Sequence, residues 1–448
     1  MSRLSVSEIE RFCPDVDERI VAGHVQRLGD EYFDAFTPAE VGRHVRAIAE
    51  LDGGRPLRLL VDAPEAGRMA VTVISFDYPS IFSLLCGSLA GFGLGIESGQ
   101  VFTYAPRERK AAGGRRGASG RGGRRSAAGG PLTRRCIIDR FEVKTEDADT
   151  GTWRRRLAEW LEPLVALLEA RGAEKPAEAR HRVNELVAER LAAVDADRSA
   201  PLYPVELQVV RRSGEHAVLR VVSQDTPAFL YALSNALSLN GVSVERVIIR
   251  TTGGKVVDEI AIADAGGRPP AGAGRIDQIK FSVLLTKQFT YCLGTAPDPY
   301  AALCRFEQLV EDIASREEKG HWRDLLDDPA TLRDLARILG TSDFIWEDFI
   351  RAQYENILPL LRSEGPSDRP GFTREALHRR LTAAMRGVEG IEARCDALNA
   401  WKDREIFRVD LEHILHAGAD VHALAEPLTC LAEEVVAEAV ACVSEDLG

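Results

Sequence analysis

Residues 217–251 read Ala217-Val-Leu-Arg-Val-Val-Ser-Gln-Asp-Thr-Pro-Ala-Phe-Leu-Tyr-Ala-Leu-Ser-Asn-Ala-Leu-Ser-Leu-Asn-Gly-Val-Ser-Val-Glu-Arg-Val-Ile-Ile-Arg-Thr251. The same pattern occurs earlier, as Met69-Ala-Val-Thr-Val-Ile-Ser-Phe-Asp-Tyr-Pro-Ser-Ile-Phe-Ser-Leu-Leu-Cys-Gly-Ser-Leu-Ala-Gly-Phe-Gly-Leu-Gly-Ile-Glu-Ser-Gly-Gln-Val-Phe-Thr103. Each copy opens with period-two apolar residues, Val71/Val73 and Leu219/Val221, which predict a strand. Each strand then meets Asp-x-Pro, at Asp77-Tyr78-Pro79 and Asp225-Thr226-Pro227. Aspartate is a good N-cap and proline suits a first helical turn, so both triplets predict strand-to-helix junctions. Apolar residues at helical spacing follow, Phe82/Leu85/Leu89 and Phe229/Leu233/Leu237. Glycine stops come next, at Gly91/Gly93 and Asn240-Gly241. Second strands are expected over Leu94–Tyr104 and Val242–Thr251.

The copies extend further in the same order. Leading strands Leu57–Val61 and Val205–Val210 precede the first strands. Third strands Cys136–Val143 and Lys255–Ala263 follow the second. Helices Trp153–Ala170 and Ile276–Cys292 close each copy. The expected fold class is therefore α+β: two ββαββα modules with helices on one face of antiparallel sheets, then an all-α bundle.

Charge is distributed unevenly along the chain. Of 448 residues, 57 are Lys or Arg and 69 Asp or Glu, a net charge of −12. Between Arg107 and Arg135, nine Arg and one Lys oppose only Glu108. That stretch carries +9 and the remainder −21. Its Gly/Arg core has no large apolar residue to offset ordering entropy, which predicts a disordered insertion. Two roles are open to it: a solvated hairpin loop, or a nonspecific contact with nucleic acid or an acidic partner. The acidic balance of the rest argues against a generally basic nucleic-acid coat. No apolar run reaches the roughly 20 residues of a bilayer span, and Met1-Ser-Arg-Leu opens no signal peptide. Eight scattered cysteines without a Cys-x-x-Cys pair predict reduced thiols rather than disulfides or a zinc site. A cytoplasmic protein is expected.

The Asp-x-Pro, helix, Asn-Gly, strand arrangement resembles the ACT domain, a ligand-binding module of regulatory proteins. The resemblance implies a ferredoxin-like fold and an amino-acid site between paired modules. The family's glycine after Asp-x-Pro is replaced here by Ser80 and Ala228. Carried over by position, effector-binding candidates are Asp225, Thr226, Ala228, Phe229, Asn240, Gly241 and Val242 in the second copy. In the first they are Asp77, Ser80, Ile81 and Gly93. The alternative role for Asp77 and Asp225 is simply to cap helices.

From Tyr300 onward strand signals cease. Tyr300–Ser315, Thr331–Leu339, Ser342–Arg362, Thr373–Asn399 and Leu424–Ser444 all read as amphipathic helices. Trp322, Phe344, Trp346, Phe349, Tyr354 and Trp401 read as bundle core, and Asp343, Glu347, Asp348 and Glu355 as a solvated face. Residues 335–361 resemble the opening helices of bacterial glutamine synthetase adenylyltransferases, and Ala400-Trp-Lys-Asp-Arg-Glu-Ile-Phe-Arg-Val-Asp-Leu-Glu-His-Ile-Leu415 is similar to that family's Phe-Lys-Arg-Arg-Glu-x-x-Arg-Ile-x-x-Arg-Asp-Leu segment. That family's chemistry needs a Gly-Ser turn followed by paired Asp-x-Asp carboxylates holding magnesium. The Asp-x-Asp pairs here, 15/17, 147/149 and 195/197, follow no such turn. His413 and His416 bring no third metal ligand.

These readings divide the chain into a helical lead-in (1–52), an ACT-like module (53–175, insertion 107–133), a helical linker (176–200), a second module (201–296) and a helical domain (297–448). The resemblances imply a regulatory region in nitrogen control. Glutamine synthetase or a PII-type signal protein is the implied partner and an amino acid such as glutamine the implied effector. No membrane is expected. No catalytic residue or metal is assigned and the chain alone is expected to be inactive; ATP and magnesium are expected only where a catalytic domain follows. The rival class is a nucleic-acid-binding sheet, disfavoured because the third strands offer a single Phe for base stacking.

Overall fold

The computed structural model describes residues 4–65, 67–105, 130–145, 149–170, 172, 174–193, 206–212, 217–252, 255–264, 267–270, 272–315, 329–341, 346, 371–415 and 421–447. Most of the basic insertion and the expected helix Ser342–Arg362, with its carboxylate face, lie outside them. So do Trp322, Phe344, Phe349, Tyr354 and the Asp195/Asp197 pair. Two compact units are formed, Met1–Lys287 and Gln288–Gly448.

The first unit starts with four short helices, α1 (Val6–Glu10), α2 (Glu18–Arg27), α3 (Asp30–Ala35) and α4 (Pro38–Ala49). Reciprocal capping boxes, Ser5 with Glu8 and Thr37 with Glu40, start α1 and α4. The first module follows: β1 (Leu57–Glu65), β2 (Arg68–Phe76), α5 (Ile81–Gly91), β3 (Gly95–Thr103), β4 (Cys136–Lys144) and α6 (Thr150–Glu169). After α7 (Lys175–Ala193), the second repeats the order: β5 (Glu206–Arg212), β6 (Ala217–Gln224), α8 (Phe229–Leu239), β7 (Ser243–Thr252), β8 (Lys255–Ala263) and α9 (Ala273–Cys292).

All eight strands share one antiparallel sheet, ordered β1-β2-β4-β3-β7-β8-β6-β5. The modules therefore join edge to edge within one chain, through β3 and β7. In that seam Gln100 pairs with Ile248, its own counterpart in the repeat, so a local twofold axis relates the halves. Pairing the two inner edges removes unpaired backbone that would otherwise face water.

Along β4, alternate side chains leave opposite faces of the sheet. Phe141 stacks on Phe82 of α5, whereas Arg140 reaches Glu40 of α4 at 2.6 Å. The module 1 sheet is thus covered on both faces, by the lead-in helices on one and α5 on the other. A buried polar core ties the lead-in down. His24 meets Tyr104 Oη at 2.8 Å and Tyr32 Oη at 3.1 Å, and Tyr32 Oη meets His44 Nδ1 at 2.8 Å. Burial pushes His24 down to about 3 and His44 down to about 4, which keeps both imidazoles neutral.

Two expectations need correction here. Asp77 and Asp225 do not cap α5 and α8. The N-cap positions are Ser80 (φ 64°) and Ala228 (φ 57°), with no side-chain cap bond. They are the two non-glycine residues with positive φ among the described residues. The position after each Asp-x-Pro triplet is thus left-handed even though its side chain is not glycine. An L-residue there costs about 1–2 kcal/mol, partly offset by the lower unfolded-state entropy of a non-glycine residue. Ala228→Gly is accordingly expected to stabilise the chain by roughly 0.5–1 kcal/mol, read as a higher urea midpoint at constant slope. A destabilisation of similar size would refute the assignment of strain.

The second correction concerns glycine stops. Gly93 (φ 76°) and Gly241 (φ 62°) are left-handed turn residues, as expected. Gly91 is not: it closes α5 in helical geometry, where a Cβ would lie 2.5 Å from Leu186 Cγ of α7.

In the second unit lie α10 (Pro299–Ser315), α11 (Pro329–Leu339), α12 (Arg374–Met385), α13 (Ile391–Leu415) and α14 (Val421–Leu447). The expected helix Thr373–Asn399 is broken in two, because Gly387 (φ 77°) and Gly390 (φ 86°) turn the chain. Leu377, Leu381, Leu398, Trp401 and Leu431 form the core of α12–α14. Glu405, buried in the resemblance-bearing string of α13, is held by Arg380 and Arg408, each at 2.8 Å. Trp346 is also buried. Among the described residues no helix is long and apolar enough to cross a membrane, and no group of three His, Cys, Asp or Glu is placed to hold a metal.

Candidate functional site

The twofold seam leaves two clefts, each combining the Asp-x-Pro loop of one module with the glycine turn of the other. They are not equivalent. One is an open cavity of about 580 Å3, within the usual range for small-molecule sites. Module 2 contributes Asp225, Thr226, Pro227, Ala228, Phe229 and Asp258 to its wall. Module 1 contributes Gly93, Leu94, Gly95, Ile96, Glu97, Cys86 and Lys144, and α7 adds Val187, Arg190 and Leu191.

Asp225 stands on the solvent side of this cavity. The protein crowded round it raises its carboxyl, while Lys287 and the Thr226 backbone N–H pull it back. Lys287 is buried, donates to Ser223 Oγ and, at 3.1 Å, to the Gln224 carbonyl, and lies 5.0 Å over the Phe229 ring. Burial lowers its ammonium to about 8, with Asp225 opposing. Asp258 is wholly buried in the wall. One carboxylate oxygen accepts the Arg250 backbone N–H at 3.1 Å, and the other has no partner. Burial raises it to about 7. Lys144 and Arg190 are exposed and make no ion pair among the described residues. A Cβ on Gly93 would lie 3.2 Å from the Arg190 guanidinium, so the turn's lack of a side chain admits that cation to the wall.

The mirror cleft is filled by the protein itself. Arg135 lies 3.2 Å from Asp77 and 2.5 Å from Glu245, and Ser80 Oγ meets Ser238 Oγ at 2.5 Å. Burial raises the Asp77 carboxyl against the pull of Arg135. Beside them Arg134 stacks 3.7 Å from the Phe76 ring centre and pairs with Glu169 at 2.8 Å.

The structure thus gathers Asp225, Thr226, Ala228, Phe229 and Gly93 around one cavity. It places Asp77, Ser80 and Ile81 at the other, closed cleft. Asn240, Gly241 and Val242 do not line the open cavity. Asn240 is buried, donates its amide to the Ala236 carbonyl at 2.8 Å and accepts from Arg275 through its own carbonyl. Sequence reasoning missed Glu97, Lys144, Arg190, Asp258 and Arg135. Two of them left a signal: Glu97 and Glu245 share one place in the repeat, and Asp139 and Asp258 share another.

Comparison with known proteins adds a distant relationship. The chain is 24% identical over 230 residues to the bifunctional uridylyltransferase/uridylyl-removing enzyme of Nitrobacter hamburgensis, covering 50% of this chain and 20% of that protein. The enzymes of the same name from Azospirillum brasilense and Rhodospirillum rubrum are each 24% identical over 56% of the chain, matching 24% and 23% of their own lengths. The chain therefore spans about a fifth to a quarter of the curated relatives it matches. Their name belongs to a different nucleotidyltransferase from the glutamine synthetase adenylyltransferases that the helical strings resemble. No protein-family model matches the chain, and no solved structure does.

Proposed function

We propose that this chain is an effector-sensing, regulatory region of a nucleotidyltransferase-type system of nitrogen control. Its two ACT-like modules make one open site for an amino acid such as glutamine. Occupancy of that site governs nucleotidylation of a protein partner, glutamine synthetase or a PII-type signal protein. In this reading the nucleoside triphosphate and magnesium belong to a catalytic core bearing Gly-Ser and Asp-x-Asp motifs, and this chain supplies sensing and docking.

The single observation that carries the reading is the cavity itself. The Asp225–Phe229 loop of one module and the Gly93–Glu97 turn of the other meet around it. The cavity wall also carries charges of both signs, acids from module 2 and free cations from module 1 and α7, as an ammonium-and-carboxylate ligand requires.

A thermal-shift series with the twenty amino acids, glutamine first, tests it. A ligand at about a hundred times its Kd adds ~2.7 kcal/mol and should raise the midpoint by roughly 4–5 °C in a unit of this size. Asp225→Ala should abolish the rise. A flat response of the parent chain to all twenty would overturn the reading.

A further inference from the structure

The two clefts present repeated acids, and what bridges those acids differs between them. The axis that sets Gln100 against Ile248 carries Asp77 and Glu245 of the closed cleft onto Asp225 and Glu97 of the open cavity. Both glutamates sit at β-bulges: β3 slips register against β4 between Ile96 and Ser98, and β7 slips against β8 between Val244 and Arg246. A bulge re-aims the extra side chain, here at the same corner of each cleft. In the closed cleft the acid pair is bridged by the Arg135 guanidinium. In the repeat, the sequence has Gly254 where module 1 has Arg135. Among the described residues no cation bridges Asp225 and Glu97. Glu97 pairs with Arg68 at 2.9 Å, but that arginine is half exposed and the pair is correspondingly weak.

A second observation points the same way. Asp258, wholly buried in the cavity wall, has a carboxylate oxygen without any hydrogen-bond partner. Ionised, that oxygen lacks a donor; protonated, its O–H lacks an acceptor. Either state leaves a buried polar group unsatisfied, which native structures rarely tolerate without a water or a ligand.

We propose that the open cavity binds its ligand through an organic cation, a primary ammonium or a guanidinium, seated between Asp225 and Glu97 as Arg135 is seated between Asp77 and Glu245. Arg135 is then a built-in occupant of the second site, and the chain binds one ligand instead of two. Charge-assisted bonds to two carboxylates make the cation the specificity-determining group, and an anionic group meets like charge at this corner of the cavity. The proposal rests on the effector-site reading for its location but not for the identity of the ligand.

Calorimetric titration of the full chain with L-glutamine, L-arginine, N-acetyl-L-glutamine and propylammonium chloride tests it, with melting curves to confirm folding of each variant. Cation-bearing compounds should bind at one site per chain. Glu97→Gln and Asp225→Asn should each weaken them at least tenfold, while N-acetyl-L-glutamine should bind as weakly to the parent as to the variants. Glu245→Gln, in the closed cleft, should leave the open site unchanged. Arg135→Ala should raise the stoichiometry from one to two. If an amino acid binds but blocking its amine or changing Glu97 has no effect, the cation proposal is overturned and the effector reading stands. If propylammonium binds through Glu97 while no amino acid binds, the proposal stands and the amino-acid reading falls. Binding by none of these compounds overturns both.

Discussion

Gly87→Val is expected to destabilise the first unit by at least the roughly 1–3 kcal/mol typical of overpacking, and to loosen the junction on which the open cavity depends. Gly87 lies in the middle of α5, where glycine is normally unfavourable. A Cβ there would lie 2.3 Å from Val183 Cγ1 of α7 and 2.8 Å from Tyr231 Cδ2 of α8. Those distances are inside van der Waals contact, and neither neighbour can retreat. Val183 is fully buried, and the Tyr231 hydroxyl donates to the buried Asn184 side chain of α7. Gly87 is therefore the point where helices of both modules and the connecting helix approach most closely. Urea unfolding of Gly87→Val against the parent reads the effect. Gly95→Ala, where an added Cβ meets nothing within 4 Å, serves as the near-neutral control. A loss below about 0.5 kcal/mol, the range of ordinary surface changes, would show that the junction is looser than these distances state.

The second large effect lies in pH dependence. Asp139 and Asp258 occupy equivalent places in β4 and β8, and both are fully buried. Neither oxygen of Asp139 has a partner, and β4 is paired on both sides, with Asp139 opposite Val73 and Val101, so the sheet has no donor to spare. Burial raises Asp139 well above the usual carboxylate range, with Asp77 adding to the shift. It raises Asp258 from 3.8 to about 7, the Arg250 N–H opposing and Asp225 adding. A carboxyl that holds its proton more tightly when folded favours the folded state at low pH. That advantage is complete below the unfolded value near 3.8 and disappears as pH rises through the folded value near 7. Asp258→Asn, which keeps a neutral group at every pH, should therefore gain on the parent between about pH 4 and pH 7. The expected gain is on the order of 3 kcal/mol. Asp139→Asn should behave in the same sense. Thermal midpoints of parent and variants across this range provide the measurement. A difference that does not change with pH would mean that these carboxyls are solvated or paired in solution.

Much of this architecture was legible because the repeat was legible. Alternation in Val71/Val73 and Leu219/Val221, the two Asp-x-Pro triplets and the turns at Gly93 and Gly241 are local signals. Local backbone preference alone places strands, helices and turns from them. What those same residues do was less legible. Asp77 and Asp225 have the composition of caps, but a cap is decided by which backbone N–H lies within reach. The left-handed turn at Ser80 and Ala228 takes that position instead. Gly87 and Gly91 differ from stop glycines only in what packs against them. Glu97 and Asp258 are ordinary acids in sequence, made notable by a bulge and by burial.

By itself the sequence determined the duplication, the order of elements in each copy and the helical character of the described part of the last third, because each depends on neighbours close along the chain. Only the tertiary structure decided that β3 meets β7 within one chain, since edge pairing depends on long-range closure that no local pattern encodes. It also decided that the two clefts differ. One arginine at the start of β4, far in sequence from the acids it bridges, fills one cleft, while its twin stays open to a ligand.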